Sequence, residues 1–328
     1  MARPPPRRPR HLGSRSTMAA TVTTNARTKE SSGRRHRRRY RRPDDARAVP
    51  YFLILPGFAF YALFVIVPII DTVRLSFFSW DGLSEQVFVG LDNFKQVLTD
   101  PNTWSALKVS VVFVVFSCVL PVVIALCLVG IIARTRIRGL AFFRFVFFLP
   151  YTIALAVVAI AWRWIFALDG SVNEIIKFFL GSRFVRPFLG DTHLALPALG
   201  IVGLWATFGF VLVMLLSGAQ HIPKELYEAA RIDGAGPVRE FFAVTLPGVR
   251  HELRVALVMT LIMALRVFDL PLMATQGGPG YATTTPSLMM YRDVFVNGQI
   301  GPGAAIAVLL TIVIFVGVGV ANRVIRSE

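Results

Sequence analysis

Two groups of residues in this chain have types and spacing that could carry chemistry or recognition. The first is Arg266 and Asp269, opposite charges three residues apart inside the apolar run Val255 to Ala274. A charge at bilayer depth costs roughly 3 kcal/mol or more on insertion scales, so such residues face each other or an aqueous cavity. Two readings stay open: residues of a substrate pathway or gate, or an ion pair within one helix near the membrane interface. Trp162, Arg163 and Trp164 are either further pathway residues or members of an interfacial aromatic belt. Thr275, followed by Gly277, Gly278 and Pro279, either lines a cavity or ends a helix. The second group is the run Glu228 to Pro247, which has the residue types of a docking surface and lacks those of a catalytic centre.

Several chemistries are excluded by what the chain lacks. No G-x-x-x-x-G-K-[ST] loop is present to cradle nucleotide phosphates, and neither H-E-x-x-H nor G-x-S-x-G occurs. The histidines, at 11, 36, 193, 221 and 251, are scattered outside the apolar runs. Cys118 and Cys127 lie in one apolar run, where small packing residues are expected and a disulfide or metal site is not. The chain is expected to be no enzyme and to use no cofactor or metal.

The elements that must position these residues follow from composition. With 55% hydrophobic and 16% charged residues among 328, the chain must use lipid as solvent. Charge-free runs of 17 to 27 residues occur at Tyr51 to Ile70, Val109 to Ala133, Phe145 to Ala161, Leu194 to Gln220 and Gly303 to Ala321. Each approaches the length a helix needs to cross about 30 Å of hydrocarbon. Val255 to Ala274 adds a sixth, interrupted by Arg266 and Asp269. The expected fold is all-α and polytopic, with six transmembrane helices.

Lys and Arg set the orientation. Basic runs at Arg7-Arg8 and Arg34 to Arg42, and Arg134, Arg136, Arg138 and Arg144 after the second apolar run, belong on the cytoplasmic side. Both termini are then cytoplasmic, and so is the segment around Glu228. Residues 1–49 read as a disordered basic tail against anionic headgroups rather than a nucleic-acid arm, and residues 50–328 as the membrane domain. The tail has no continuous apolar stretch near its start, so no cleaved signal peptide is expected.

The segment 221–250 reads as helix, turn, helix. Pro223 suits a helix start, Lys224 to Asp233 is a good helical stretch, and Gly234 supplies the open backbone that stops it. Pro237 starts a second short helix, which Leu246-Pro247 is expected to end. Ala229 and Ala230 leave a bare face for close approach, Leu226, Ile232, Phe241 and Phe242 are candidate anchors, and Glu228 and Asp233 add charge at the edges.

The spacing E-A-A-x3-G-x9-(aliphatic)-x-L-P, with Glu228, Ala229, Ala230, Gly234, Val244, Leu246 and Pro247, resembles the cytoplasmic coupling loop of permease subunits of binding-protein-dependent ABC importers. The likeness covers nearly all the chain after the tail and is similar to the maltose-type carbohydrate branch, to a first permease of the pair. It includes Leu149, Pro150, Trp162, Gly170 and Asn173, the segments F-D and T-x-G-G-P from Phe268 to Pro279, and WDGL with VGLDNF near Trp80 to Phe94. The long outer domain and extra N-terminal helices of maltose-type subunits are absent from this sequence. The resemblance implies import of a sugar or oligosaccharide through a bacterial plasma membrane. It also implies the partners: a second related permease, two ATPase subunits gripping the loop, and an extracytoplasmic sugar-binding protein. A permease for another solute, such as a polyamine or phosphate, shares the loop but should lack T-x-G-G-P; a secondary transporter would need no such loop.

Overall fold

The computed structural model describes residues 49–132 and 139–326. The basic runs before residue 49, and Arg134, Arg136 and Arg138, lie outside the described residues. The chain divides into two units, Met1–Pro56 and Gly57–Glu328.

In chain order, α1 (Val49–Tyr61) passes through a π turn (Ala62–Ile66) into α2 (Val67–Leu75). A short antiparallel hairpin of β1 (Phe78–Ser79) and β2 (Val87–Phe88) pairs Phe78 with Phe88. Then come α3 (Asp92–Thr99) and α4 (Pro101–Val114), which runs through a second π turn (Val115–Val119) into α5 (Leu120–Ile132). The chain continues as α6 (Leu140–Thr152), α7 (Leu155–Ile165), α8 (Ser171–Leu180) and the long α9 (Ala195–Ala219). Three short helices follow, α10 (Lys224–Ile232), α11 (Pro237–Glu240) and α12 (Leu246–Gly248), the last two joined by a π turn (Phe241–Thr245). The remainder is α13 (Arg250–Leu265), α14 (Asp269–Thr275), α15 (Pro286–Tyr291) with a π turn (Arg292–Val296), and α16 (Ile300–Arg326).

Four helical stretches are long and apolar enough to cross a membrane: Ile54–Leu75, Pro101–Ile132, Ala195–Ala219 and Ile300–Ile325. Two bent pairs also qualify, α6 with α7 at 94° and α13 with α14 at 42°. The break between α13 and α14 falls where Arg266 interrupts the apolar run. The one between α6 and α7 corrects the expectation of a single helix over Phe145 to Ala161. Pro150 removes a ladder hydrogen bond from α6, and the Thr152 hydroxyl takes the Leu149 carbonyl at 2.7 Å instead of leaving it to the backbone. Ile153 and Ala154 then adopt extended torsions and turn the chain.

The core forms around α9. Lipid tails are as apolar as leucine, so helices associate here through close packing and small residues. Helix α9 supplies both: Ala198, Gly200, Gly203, Ala206, Gly209 and Ala219 are buried along its length. One cluster joins α4, α7, α9 and α14 through Phe113, Val158, Leu199 and Leu270, and another joins α5, α9 and α13 through Val129, Leu212, Leu215 and Ala256. Outside the spans, two buried asparagines hold the turns. Asn93 donates to the carbonyls of Ser76 and Phe78, both at 2.9 Å, and Asn173 donates to those of Ala167 and Arg186, also at 2.9 Å.

Candidate functional site

The segment from α10 to α12 is a bonded unit. Helix α10 ends in a Schellman motif: Gly234 N–H reaches Arg231 O at 3.0 Å and Ala235 N–H reaches Ala230 O at 2.9 Å. That geometry needs a left-handed residue, and Gly234 supplies it at φ 75°. Pro237, at the start of α11, redirects the chain.

Two side-chain contacts then tie the halves together. The Glu240 carboxylate, almost fully buried, accepts from Arg231 Nε at 3.2 Å, and the hydroxyls of Tyr227 and Thr245 are 3.2 Å apart. Tyr227 and Arg231 are four residues apart on an α-helix, whereas Glu240 and Thr245 are five apart across a π turn. The extra residue in that turn keeps both pairs in register. Sequence reading missed all four, because a 3.6-residue period places Glu240 and Thr245 on different faces. The π turn also lets the helix run through Pro247. Leu246 N–H bonds Phe241 O five residues back, and the turn away comes at Val249. The expectation that Leu246-Pro247 ends the second helix is therefore corrected.

The outward side of this unit carries large apolar side chains among charged ones. Leu226, Ile232, Val238 and Phe242 are 52%, 86%, 70% and 61% exposed. Glu228, Ala229, Asp233, Gly234 and Pro247 are exposed as well, while Ala230 and Leu246 are half-buried. Phe241, the remaining candidate anchor, instead turns inward onto Gly130 of α5. A groove of about 440 Å³ runs beneath, between the end of α9 and α12, with Ile222, Leu226, Val244, Pro247 and Glu252 among its walls.

A second arrangement lies among the spans. A cavity of about 330 Å³ forms where three interruptions converge: the π turn after α4, the α6–α7 break and the α13–α14 break. Its walls include Ser117, Tyr151, Thr207, Met263 and Val267. Tyr151 stacks on Phe210 with ring centroids 4.8 Å apart, and Thr207 donates to the carbonyls of Gly203 at 2.8 Å and Ser117 at 3.2 Å.

None of the candidate pathway residues lines that cavity. Arg163 and Thr275 come together on a different one, of about 440 Å³, walled also by Phe166, Leu189 and Gln276. Trp162 packs against the core, 5.6 Å from Trp205 and 5.2 Å from Phe166. Trp164 is 73% exposed. Arg266 caps the end of α13 and Asp269 starts α14, so they flank a break instead of sharing one helical turn. Both are exposed, and among the described residues no ion pair joins them, which removes the intrahelical pair that their spacing allowed. Thr275 ends α14, its hydroxyl bonded to Pro271 O at 3.0 Å and to the Thr283 hydroxyl at 2.7 Å. The hydroxyls lining the central cavity carry little sequence signal, since Ser117 and Thr207 sit singly in apolar runs.

Two carboxylates in the connections are tuned by their surroundings. Hydrogen bonds from Ser84 and Leu83 hold the Asp81 carboxyl down at about 2. Those from His193 and Leu194 lower Asp191, just ahead of α9.

Known proteins share this architecture. "Probable ABC transporter permease protein YurN" of Bacillus subtilis is 36% identical over 81% of this chain and 91% of its own length. The "Trehalose/maltose transport system permease protein MalF" of Thermococcus litoralis is 34% identical over 80% of this chain and 89% of its own. A crystal structure of a bacterial ABC transporter involved in import of the acidic polysaccharide alginate superposes with a TM-score of 0.71 at 22% identity, covering 85% of this chain and 95% of that one. The family described as "Binding-protein-dependent transport system inner membrane component" matches residues 127–327, a stretch holding the α10–α12 unit and both span breaks, and the chain belongs to that family.

Proposed function

We propose that this chain is a permease subunit of an ATP-driven ABC importer and forms part of the path for a sugar or oligosaccharide handed over by an extracytoplasmic binding protein. The observation that carries the reading is the α10–α12 unit. Two side-chain bonds, Arg231 to Glu240 and Tyr227 to Thr245, tie it into a fixed frame on which Leu226, Ile232, Val238 and Phe242 stand exposed. Such a surface fits a groove on a separate protein. The chain has no phosphate-binding loop of its own, so that protein is the ATPase, two copies of which would serve this chain and a second, related permease.

In this reading the bent pairs are single spans, giving six, with both termini and the α10–α12 loop on the cytoplasmic side of a bacterial plasma membrane. Closure of the ATPase dimer on ATP moves the loop and biases the spans between inward- and outward-open arrangements. Sugar is favoured as cargo by the relative named for trehalose and maltose; the cavity at the span breaks is mostly apolar and offers the hydroxyls of Ser117, Tyr151 and Thr207 as its polar groups. Arg163, at the separate cavity beside Thr275, and Arg266 and Asp269, at the break, are assigned to its approaches.

The test is to replace Glu228 by Lys and, separately, Gly234 by Val. Each variant is expected to insert normally yet to lose ATPase copurification or to hydrolyse ATP without uptake. Unchanged copurification and uptake in both would overturn the assignment.

A further inference from the structure

Helix α16 is held at both ends by polar contacts, and one of them comes from the residue that directly follows the loop. Arg250, the first residue of α13, follows directly on the turn at Val249 that closes the loop. Its guanidinium donates from Nε to the Ile325 carbonyl at 2.8 Å, and from Nη2 to the same oxygen. A helix C-terminus leaves its last carbonyls without intrahelical partners and carries the negative end of the dipole. A guanidinium there satisfies the carbonyl and the field together.

The opposite end is seated on the outer hairpin. Ile300 N–H donates to Trp80 O at 3.0 Å. Gly301 packs so closely on Phe78 O that a Cβ would come within 2.1 Å of it, and Asn93, whose amide also grips Phe78 O, lies alongside. Between these seats run 27 helical residues, about 40 Å of stiff rod.

We infer that α16 is a strut transmitting movement of the α10–α12 loop to the β1–β2 hairpin, and that Arg250 is the positioning residue that keys the strut to the loop. The inference rests on the loop being the ATPase docking element. It adds the route by which the loop and the far side of the protein sense each other, a route that needs a two-state element biased from both ends.

The experiment uses the assembled transporter in proteoliposomes, with the parent chain, Arg250→Gln, Arg250→Lys, and chains ending at Ile325 or at Arg323. For Arg250→Gln the ATPase still copurifies and basal hydrolysis is kept, while uptake and binding-protein-stimulated hydrolysis fall roughly tenfold. Arg250→Lys recovers part of both. The chain ending at Ile325 keeps an acceptor, now a carboxylate, and stays coupled; the chain ending at Arg323 loses it and behaves like Arg250→Gln. Uptake by Arg250→Gln within about twofold of the parent overturns the strut, as does loss of ATPase copurification, which would make Arg250 a docking or folding residue. A parent chain that brings down no ATPase fails before any substitution is made, and that result overturns the underlying loop reading instead.

Discussion

The loop between α9 and α13 and the loop between α14 and α15 are built from similar parts and end up opposite in character. Each has a glycine at positive φ followed within three residues by a proline: Gly234 and Pro237 in one, Gly277 and Pro279 in the other. In the second loop the hydroxyls turn inward. Thr283, Thr284 and Thr285 are at most 1% exposed, and they donate to the carbonyls of Gly278, Gly277 and Val267 at 2.8, 3.0 and 2.9 Å. Arg292 adds a bond to the Gln276 carbonyl. That loop turns its threonine hydroxyls onto its own carbonyls, and Tyr281, 51% exposed, is a large side chain it leaves outward. The first loop is cross-linked by Arg231 to Glu240 and Tyr227 to Thr245, and presents isolated large apolar side chains outward. The difference teaches that a punctuated connection can serve as scaffold or as contact surface, depending on which side chains its internal bonds consume.

Substitutions in the two loops should therefore fail in different ways. The largest effect is expected from Ile232→Asp combined with Phe242→Asp: uptake falls roughly tenfold or more, while stability in detergent changes by no more than about 0.5 kcal/mol, as for other exposed sites. Uptake assays beside thermal unfolding of the same preparation separate the two quantities. The reverse is expected of Thr285→Val. It deprives Val267 O of a buried partner and removes the cap that Leu288 N–H uses at the start of α15, costing about 1–3 kcal/mol with ATPase copurification retained. Equal stability losses from the two experiments would erase the contrast.

The smallest effect is a matter of pH and lies in the hairpin that seats α16. Asp81 titrates at about 2 in the folded chain, below its ordinary 3.8, because its charged form accepts bonds from Ser84 and Leu83. A lowered folded value means that the carboxylate's contribution is present above the unfolded pKa and is lost as pH falls through the folded one. The hairpin turn should hold at pH 5 and loosen between about 4 and 2, read as faster amide exchange at Leu83 and Ser84. Asp81→Asn should flatten that dependence, and an unchanged profile would show that the carboxylate does not organise the turn.

The contrast also explains what could be read from the residues alone. The loop's start at Pro223, its glycine stop and the exposed Leu226, Ile232 and Phe242 are local in sequence, since caps, Schellman glycines and apolar spacing act within a few residues. The inward turn of Phe241 and the burial of Glu240 come from one extra residue in a π turn, which no 3.6-residue pattern announces. The central cavity was the least legible. It exists because three separate interruptions meet in space, and one of them, at Ile153 and Ala154, lies in a charge-free run with only Pro150 and Thr152 to mark it. Arg266 and Asp269 marked an interruption of the apolar run but not the break of the helix, because a spacing of three implies a shared face only while the helix continues.

The account stands on the exposed face of α10 being an ATPase contact, and cross-linking tests that most directly. A photo-reactive residue at position 232, in membranes holding the whole transporter, should yield one adduct with the ATPase chain that strengthens or weakens on adding ATP, while the same probe at position 281 yields none with it. Adducts to lipid alone from position 232, or labelling of that position by a reagent confined to the outside, would contradict it.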